Sequence, residues 1–343
     1  MRVTIKEIAK RANVSRGTVD KVLNHRPGVK KETMERVQAI IEELNYTPNI
    51  IGKALVQSNH PYRLLIILTP DHNPYIREIK KGIEQGRQEF HPFGIEVDVK
   101  ILHTLDPAEE LDILNTFESD GYSGLAIFPI DHPDVRSRIN QISDQNFPVI
   151  SFNSQIFGIH PLCHVGQNHY KGGYIAASLL CKQLPPNAQI GIVTSSNTLS
   201  CHPSRIQGFQ DRLLRDNSNH IITEIRENQD KDDLAYQITL DYCKKYPDLK
   251  AIYISGGGIS GVGQALFELS KNGIIKVICH DITSDSQEML HRGVVDFALS
   301  QASADQGYQI VKIFFEYIIK GQPPVSDFIE MPVTIFIDEL LYS

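Results

Sequence analysis

The chain has 343 residues, five cysteines, no tryptophan and a formal charge of −7; 41% of it is hydrophobic and 22% charged. That apolar content excludes bulk disorder, and the length suits two or three domains. The start MRVTIKEIAK lacks the apolar stretch of a secretory signal, no apolar run reaches 18 residues, and no cysteine lies in a CxxC pair, so the expectation is a cytoplasmic protein with reduced thiols, no membrane span and no metal knuckle.

Charge is unevenly placed. Residues 1–60 hold eleven Lys/Arg against six Asp/Glu, and the remainder holds 23 against 35. A basic head on an acidic body suggests a polyanion partner for the head. Thr4 precedes Ile5, Ile8, Ala9 and Ala12, the spacing of one helix face, and Thr4 with Glu7 has the form of a capping box. This helix is expected to end near Asn13. Ser15 then caps a second helix, about 16–23, with Val19, Val22 and Leu23 on its apolar side. Two helices joined so tightly form a helix-turn-helix, whose second helix lies in a major groove. A third helix is expected over about 31–44, with Val37, Ile40, Ile41 and Leu44 inward and Asn45 as its stop. Asn49 can cap a short segment over 50–56, too short to be stable alone in water.

The stretches TIKEIAKRANVSRGTVDKVLNHRPGV, ETMERVQAIIEELNYTPN and GKAL resemble the LacI/GalR family of bacterial transcriptional regulators, almost without gaps over 3–56. The resemblance implies a DNA-binding domain at 1–48 and a hinge helix with linker at 49–61. It implies base readers at Arg16, Gly17 and Lys21, phosphate-positioning residues at Thr4, Ser15, Thr18 and Asn24, and a minor-groove wedge at Leu55. Gly17 has no side chain, so contacts at its step should be sparse. Asp20 stands where many members have Ser, and its carboxylate would repel a phosphate.

Beyond residue 62 short apolar runs alternate with helical periods: 64–68, 97–102, 125–128 and 149–152, then 190–194, 221–225, 251–254 and 274–279, with helices expected between them. Such alternation implies α/β architecture with parallel sheets covered on both faces, and the length requires two of them. This part resembles the periplasmic sugar-binding-protein core of the same family. The resemblance implies an effector-binding domain at 62–343 with chain crossings near 162, 292 and 323, giving one lobe of about 62–161 and 293–322 and another of about 162–292 and 323–343.

The motifs of that core carry over to Asp71, His72, Asn73 and Tyr75 after the first strand, Asn153 and Ser154 after the fourth, Arg205 in SRIQGF, Asp281 in CHDITSD and Gln301 in LSQASADQGY. Carboxylates and amides bond neighbouring hydroxyls, so the implied ligand is a sugar, a cyclitol or another small polar molecule. Departures accompany the match. Asn153-Ser154 lacks the charged Asp-Arg pair of ribose-type binders, and Gly256-Gly257-Gly258 occupies a turn where Asn or Asp commonly reaches in. Asn73, Ser154 and Gln301 are equally readable as strand-end or capping residues, and Arg205, one turn into its helix, as a support of the lobe.

Asp71-His72, the DHPD run at 131–134, Cys163-His164 and Cys201-His202 put carboxylates or thiols beside imidazoles, but neighbours on a strand face opposite ways. The Gly-rich 256–261 lacks the Lys-Ser/Thr of a phosphate loop, and no GxSxG is present. The expectation is therefore no enzyme and no cofactor. It is a sequence-specific transcriptional regulator, a repressor, binding a double-stranded DNA operator as a homodimer under a sugar-like effector. The alternative is a cytosolic solute-binding sensor with a vestigial head.

Overall fold

The computed structural model describes residues 4–23, 28–44, 61–215 and 219–341. The described residues of the head form three helices: α1 (Ile5–Ala12), α2 (Arg16–Leu23) and α3 (Lys31–Glu43). Thr4 accepts from the Glu7 amide at 3.4 Å; only this half of the expected capping box is made among the described residues. Asn13 closes α1 in the left-handed conformation at φ 52°, its N–H directed at the carbonyls of Ala9 and Lys10. Ile8, Ala9, Ala12, Val19, Val22 and Val37 form the small core, with Ile40, Ile41 and Leu44 half-buried against it. Asn24, Asn45, Asn49 and Leu55, and the expected hinge and linker apart from Pro61, lie outside the described residues.

The body is two α/β lobes of the same topology. The first sheet has the order β2-β1-β3-β4-β5-β11, with β1 (Tyr62–Leu68), β2 (Ile95–Ile101), β3 (Gly124–Ile127), β4 (Val149–Phe152), β5 (Cys163–Gly166) and β11 (Phe328–Glu330), all parallel. The second has the order β7-β6-β8-β9-β10-β12, with β6 (Gln189–Thr194), β7 (Ile221–Glu227), β8 (Leu249–Ile254), β9 (Lys276–His280), β10 (Phe297–Ser300) and β12 (Thr334–Phe336); only β12 runs antiparallel. Leu64 to Leu68 are fully buried, alternately facing two separate cores, because helices cover both faces.

The helices of the first lobe are α4 (Pro74–Phe90), α5 (Pro107–Asn115), α6 (Pro133–Asp144) and, returning late in the chain, α12 (Ser303–Lys320); those of the second are α7 (His169–Cys181), α8 (Cys201–Leu214), α9 (Asp232–Lys245), α10 (Ile259–Glu268) and α11 (Ser284–His291). Helices α7 and α8 touch backbone to backbone. A Cβ at Gly173 would lie 1.8 Å from the Arg205 carbonyl oxygen, and one at Gly208 1.9 Å from that of Tyr170.

The crossings between lobes differ from those expected near 162, 292 and 323. They fall at 167–168, 301–302 and 331–333, because β5, β10 and β11 each complete a sheet before the chain leaves its lobe. Buried Cys163, Val165, Ala298 and Leu299 make those strands part of the cores they finish. The Gln167 side chain ties the three crossings together, its Nε2 donating to the carbonyls of Ser300 (3.0 Å) and Pro332 (3.1 Å).

Candidate functional site

Helix α2 begins at an exposed edge of the head. Ser15 Oγ accepts from the Thr18 amide at 3.1 Å and lies 2.9 Å from Thr18 Oγ1, so one hydroxyl pair holds the helix start. Arg16, Gly17 and Lys21 are exposed, as are Thr4 and Ser15, and Thr18 is half-buried. The packing of Val19 and Val22 against α1 and α3 turns Arg16 and Lys21 outward. The described head thus offers two cations on one short helix, next to hydroxyls at its N-terminus, a set suited to base edges and phosphates.

In the body, the carboxyl ends of both sheets face a shared cleft. In each lobe the strand order reverses direction there, between β1 and β3 and between β6 and β8, where α/β sheets bind ligands. The lobes meet on one side of the cleft. Cys201 N donates to Ser154 Oγ (3.3 Å), Ser154 Oγ lies 3.0 Å from Ser200 Oγ, and Ser200 Oγ donates to the Gln155 carbonyl (2.5 Å). Asp131 N donates to the Thr198 carbonyl at 3.2 Å. Leu199 and Cys201 are buried in the apolar cluster of the first lobe.

The residues expected in the pocket fall into four groups. Asp71 is exposed, in the turn before α4. His72 and Asn73 do line the cleft, but Asn73 Oδ1 is occupied as the cap of α4, accepting from Tyr75 N at 2.9 Å. Ser154 is spent on the contact between lobes. Tyr75, Asn153, Arg205, Asp281 and Gln301 are buried beneath the cleft as its floor; of these, Tyr75 and Asp281 line its inner cavity. Tyr75 packs edge-on against Phe128 and its OH donates to Gln306 Oε1 at 3.2 Å. Asp281, in the left-handed region at φ 71° just after β9, accepts from Gln301 Nε2 at 2.6 Å. Arg205 is 1% exposed, and its Nη1 donates to the Ser255 carbonyl at 2.6 Å. That bond ties it to the lobe, while its Nε and Nη2 have no partner among the described residues.

Other unpartnered polar atoms lie around it. Asn153 Oδ1 and Gln301 Oε1 are acceptors without donors. His169 Nε2 donates to the Asn153 carbonyl at 2.7 Å, leaving Nδ1 of the neutral ring as an acceptor without a partner. His280 Nε2 lies 2.8 Å from the Tyr253 hydroxyl, and its Nδ1 is likewise unmatched. Burial, reinforced by the Arg205 charge, holds both imidazoles well below their ordinary pKa and so neutral. Burial raises the Asp281 carboxyl, while Arg205 and Gln301 act the other way. The floor thus mixes unmet donors and unmet acceptors. A hydroxyl, which donates and accepts, meets both demands.

Sequence reasoning missed His169, His280 and Asp230. Their one signal is position, since each lies at or just past a strand end. Asp230, at φ 57°, accepts from Gly257 N at 2.7 Å. The three glycines follow from this packing. A Cβ at Gly256 would come within 3.0 Å of the His202 ring, one at Gly257 within 2.8 Å of Asp230 Oδ1, and one at Gly258 within 2.0 Å of Asn228 Nδ2. His202, Asp230 and Asn228 fill the space that a longer residue on this turn would take. Among the described residues there is no group of three or more His, Cys, Asp or Glu that could hold a metal ion, and no helix long and apolar enough to cross a membrane.

Residues 64–323 match the family described as "Periplasmic binding protein domain", and residues 4–49 match "Bacterial regulatory proteins, lacI family". The ribose operon repressor of Bacillus subtilis (strain 168) is 26% identical over 338 residues, 96% of either chain. The transcriptional repressor PurR of Haemophilus influenzae is 27% identical over 213 residues, 61% of this chain and 60% of that one. Among solved structures, GanP, a glucose-galactose binding protein from Geobacillus stearothermophilus, covers 83% of this chain and 100% of its own at 21% identity and a TM-score of 0.74. A solute binding protein from Burkholderia graminis, in complex with D-arabinose, covers 82% of this chain and 97% of its own at 18% identity and a TM-score of 0.76. These two likenesses concern the fold.

Proposed function

This chain belongs to the LacI family of bacterial regulators, with the periplasmic binding protein domain as its body, and on that premise we propose how it works: as a cytoplasmic homodimer that represses transcription from a DNA operator and is controlled by a neutral polyhydroxylated effector in the interlobe cleft. The observation that carries the effector reading is the floor of the cleft, where Arg205, Asn153, His169, His280 and Gln301 hold unmet donors and acceptors side by side. Leaving a buried polar group unpaired costs about 1–3 kcal/mol, so a ligand that satisfies several gains what the empty lobes lose.

In the head, Arg16 and Lys21 read base edges, Arg able to bond a guanine bidentately, while Thr4, Ser15 and Thr18 position phosphates. Two heads on one dimer gain effective concentration on a pseudo-palindromic site. Effector bonding shifts one lobe against the other about the crossings stitched by Gln167, changing the spacing of the two heads. By linkage, operator and effector then alter each other's affinity by the same factor. Turnover of the effector has no part in the scheme.

The test is selection of duplexes from a randomised pool by the full chain, followed by titration of the selected site with glucose, ribose, fructose, arabinose and myo-inositol present in turn. A preferred site whose affinity falls with one of these supports the reading. Binding that lacks sequence preference and collapses steeply with salt supports the vestigial head instead.

A further inference from the structure

The cleft does not stop at the atoms that the proposed function uses. A cavity of about 70 Å³ lies against Asp281, His280 and the three glycines, and a larger one of about 440 Å³ opens outward from it; His72 and Asp230 line both. A ligand engaging the inner atoms has little room there and extends into the outer chamber, whose size falls within the range of small-molecule sites.

The chamber is built from both lobes, and each wall is held without a ligand. On the first lobe, Glu109 accepts from the amides of His103 (2.8 Å) and Thr104 (3.0 Å) and from the Thr104 hydroxyl (3.1 Å), bonds that with the His103 ring hold its carboxyl down at about 2 although burial opposes this. On the second, the Thr198 carbonyl receives the Asp131 amide, the Thr198 hydroxyl lies 2.8 Å from Ser196 Oγ, and Leu199 is clamped in the apolar cluster of the opposite lobe. The inward surface combines apolar Pro70, Leu105 and Leu199 with the hydroxyls of Thr104 and Thr198. Its carboxylates are engaged at home, Asp106 in capping α5 and Asp230 on the Gly257 amide. Apolar patches between hydroxyls match a second sugar ring, which presents C–H faces and hydroxyls and carries no charge.

We infer that the outer chamber is a second subsite, and that the effector is a disaccharide-sized glycoside with one ring at the His280–Asp281 end and the other between Leu105 and Leu199. This rests on the proposed function, since it extends the same cleft. Lys231 and Thr198, both exposed, stand at its rim.

The experiment is calorimetric titration of the full chain with maltose, cellobiose and lactose, set against glucose and galactose, for the wild type, Lys231→Trp and Thr198→Trp. The expected result is at least one disaccharide bound about tenfold more tightly than its component monosaccharide, with that advantage erased in both Trp variants and monosaccharide affinity kept. Monosaccharide binding with no disaccharide advantage overturns the subsite and leaves the proposed function standing. A disaccharide advantage that survives both Trp variants also overturns the subsite. No binding by sugars of either size overturns this inference together with the sugar reading of the cleft.

Discussion

The head and the body keep their unused hydrogen-bonding capacity in different places. In the head it lies at the surface: Arg16 and Lys21 are exposed and solvated, and the hydroxyls at the start of α2 bond one another. In the body it is buried: Arg205, Asn153, His169, His280 and Gln301 keep polar atoms that no group among the described residues meets. A DNA reader therefore loses water when it binds and gains modest net energy per contact, whereas a cleft ligand relieves groups already paid for in folding. Single changes on the cleft floor should be more severe than single changes in the head.

The largest effect is expected of Asp281→Ala. It removes a carboxylate from the floor and leaves Gln301 Nε2 without its partner. Effector affinity should fall about 100-fold, roughly 3 kcal/mol, by calorimetry, while operator binding without effector is kept. A loss of less than about threefold would place the ligand elsewhere.

A second buried polar group lies away from the floor. Glu110 on α5 is fully buried, its Oε2 accepting from Ile130 N at 3.1 Å and its Oε1 without a partner; burial pushes its carboxyl up to about 8. A carboxyl whose folded pKa is raised contributes its full stability below the unfolded value of 4.5, and loses it as pH climbs from there through about 8. Glu110→Gln keeps an acceptor for Ile130 and cannot ionise. The variant should match the wild type at pH 5 and exceed it at pH 8.5, by on the order of a few kcal/mol in denaturant melts. Parallel pH profiles would refute this.

In the head, Arg16→Ala should weaken operator binding by about 1–3 kcal/mol in a fluorescence titration and relax preference at a single base pair. Uniform weakening across sequences would make Arg16 a phosphate contact. Smallest is Ser15→Ala. It removes the cap that Thr18 N uses and should cost about 1 kcal/mol of head stability in thermal melts. An unchanged melting point would mean that the Ser15–Thr18 pair serves DNA alone.

The same contrast governs what could be read from the chain. Helices α1, α2 and α3 follow from local signals, namely Thr4, Asn13, Ser15 and a 3.6-residue apolar period, so their limits agree with the expected ones within a residue or two. The strands with continuous apolar runs were equally legible. Strand β5 was not, because CHVG carries a buried His164 whose ring lies 2.9 Å from Ser151 Oγ, a pairing across strands that no local pattern announces. Nor was α7, since HYKGGYIAASLLC is nearly apolar all round and uses Gly173 for close contact, and so lacks the two-faced period of a surface helix. With both missing, the first crossing was placed too early; the other two followed from the short strands β10 and β11, which were not read either. Of the candidate site, the motifs pointed to Asp281, Gln301 and Arg205, all three of them buried. Their geometry was not legible, because it depends on carbonyls such as Ser255 and on His169 and His280, brought together from distant strand ends.

The most direct measurement is the affinity of a selected operator for the full chain with and without a saturating cleft ligand, in the wild type and in Asp281→Ala. Ligand should shift the wild-type affinity and leave the variant, whose ligand-free grip on the same duplex is intact, unmoved. An equal shift in both proteins, or a wild type indifferent to a ligand shown to occupy the cleft, would contradict the coupling of the two regions.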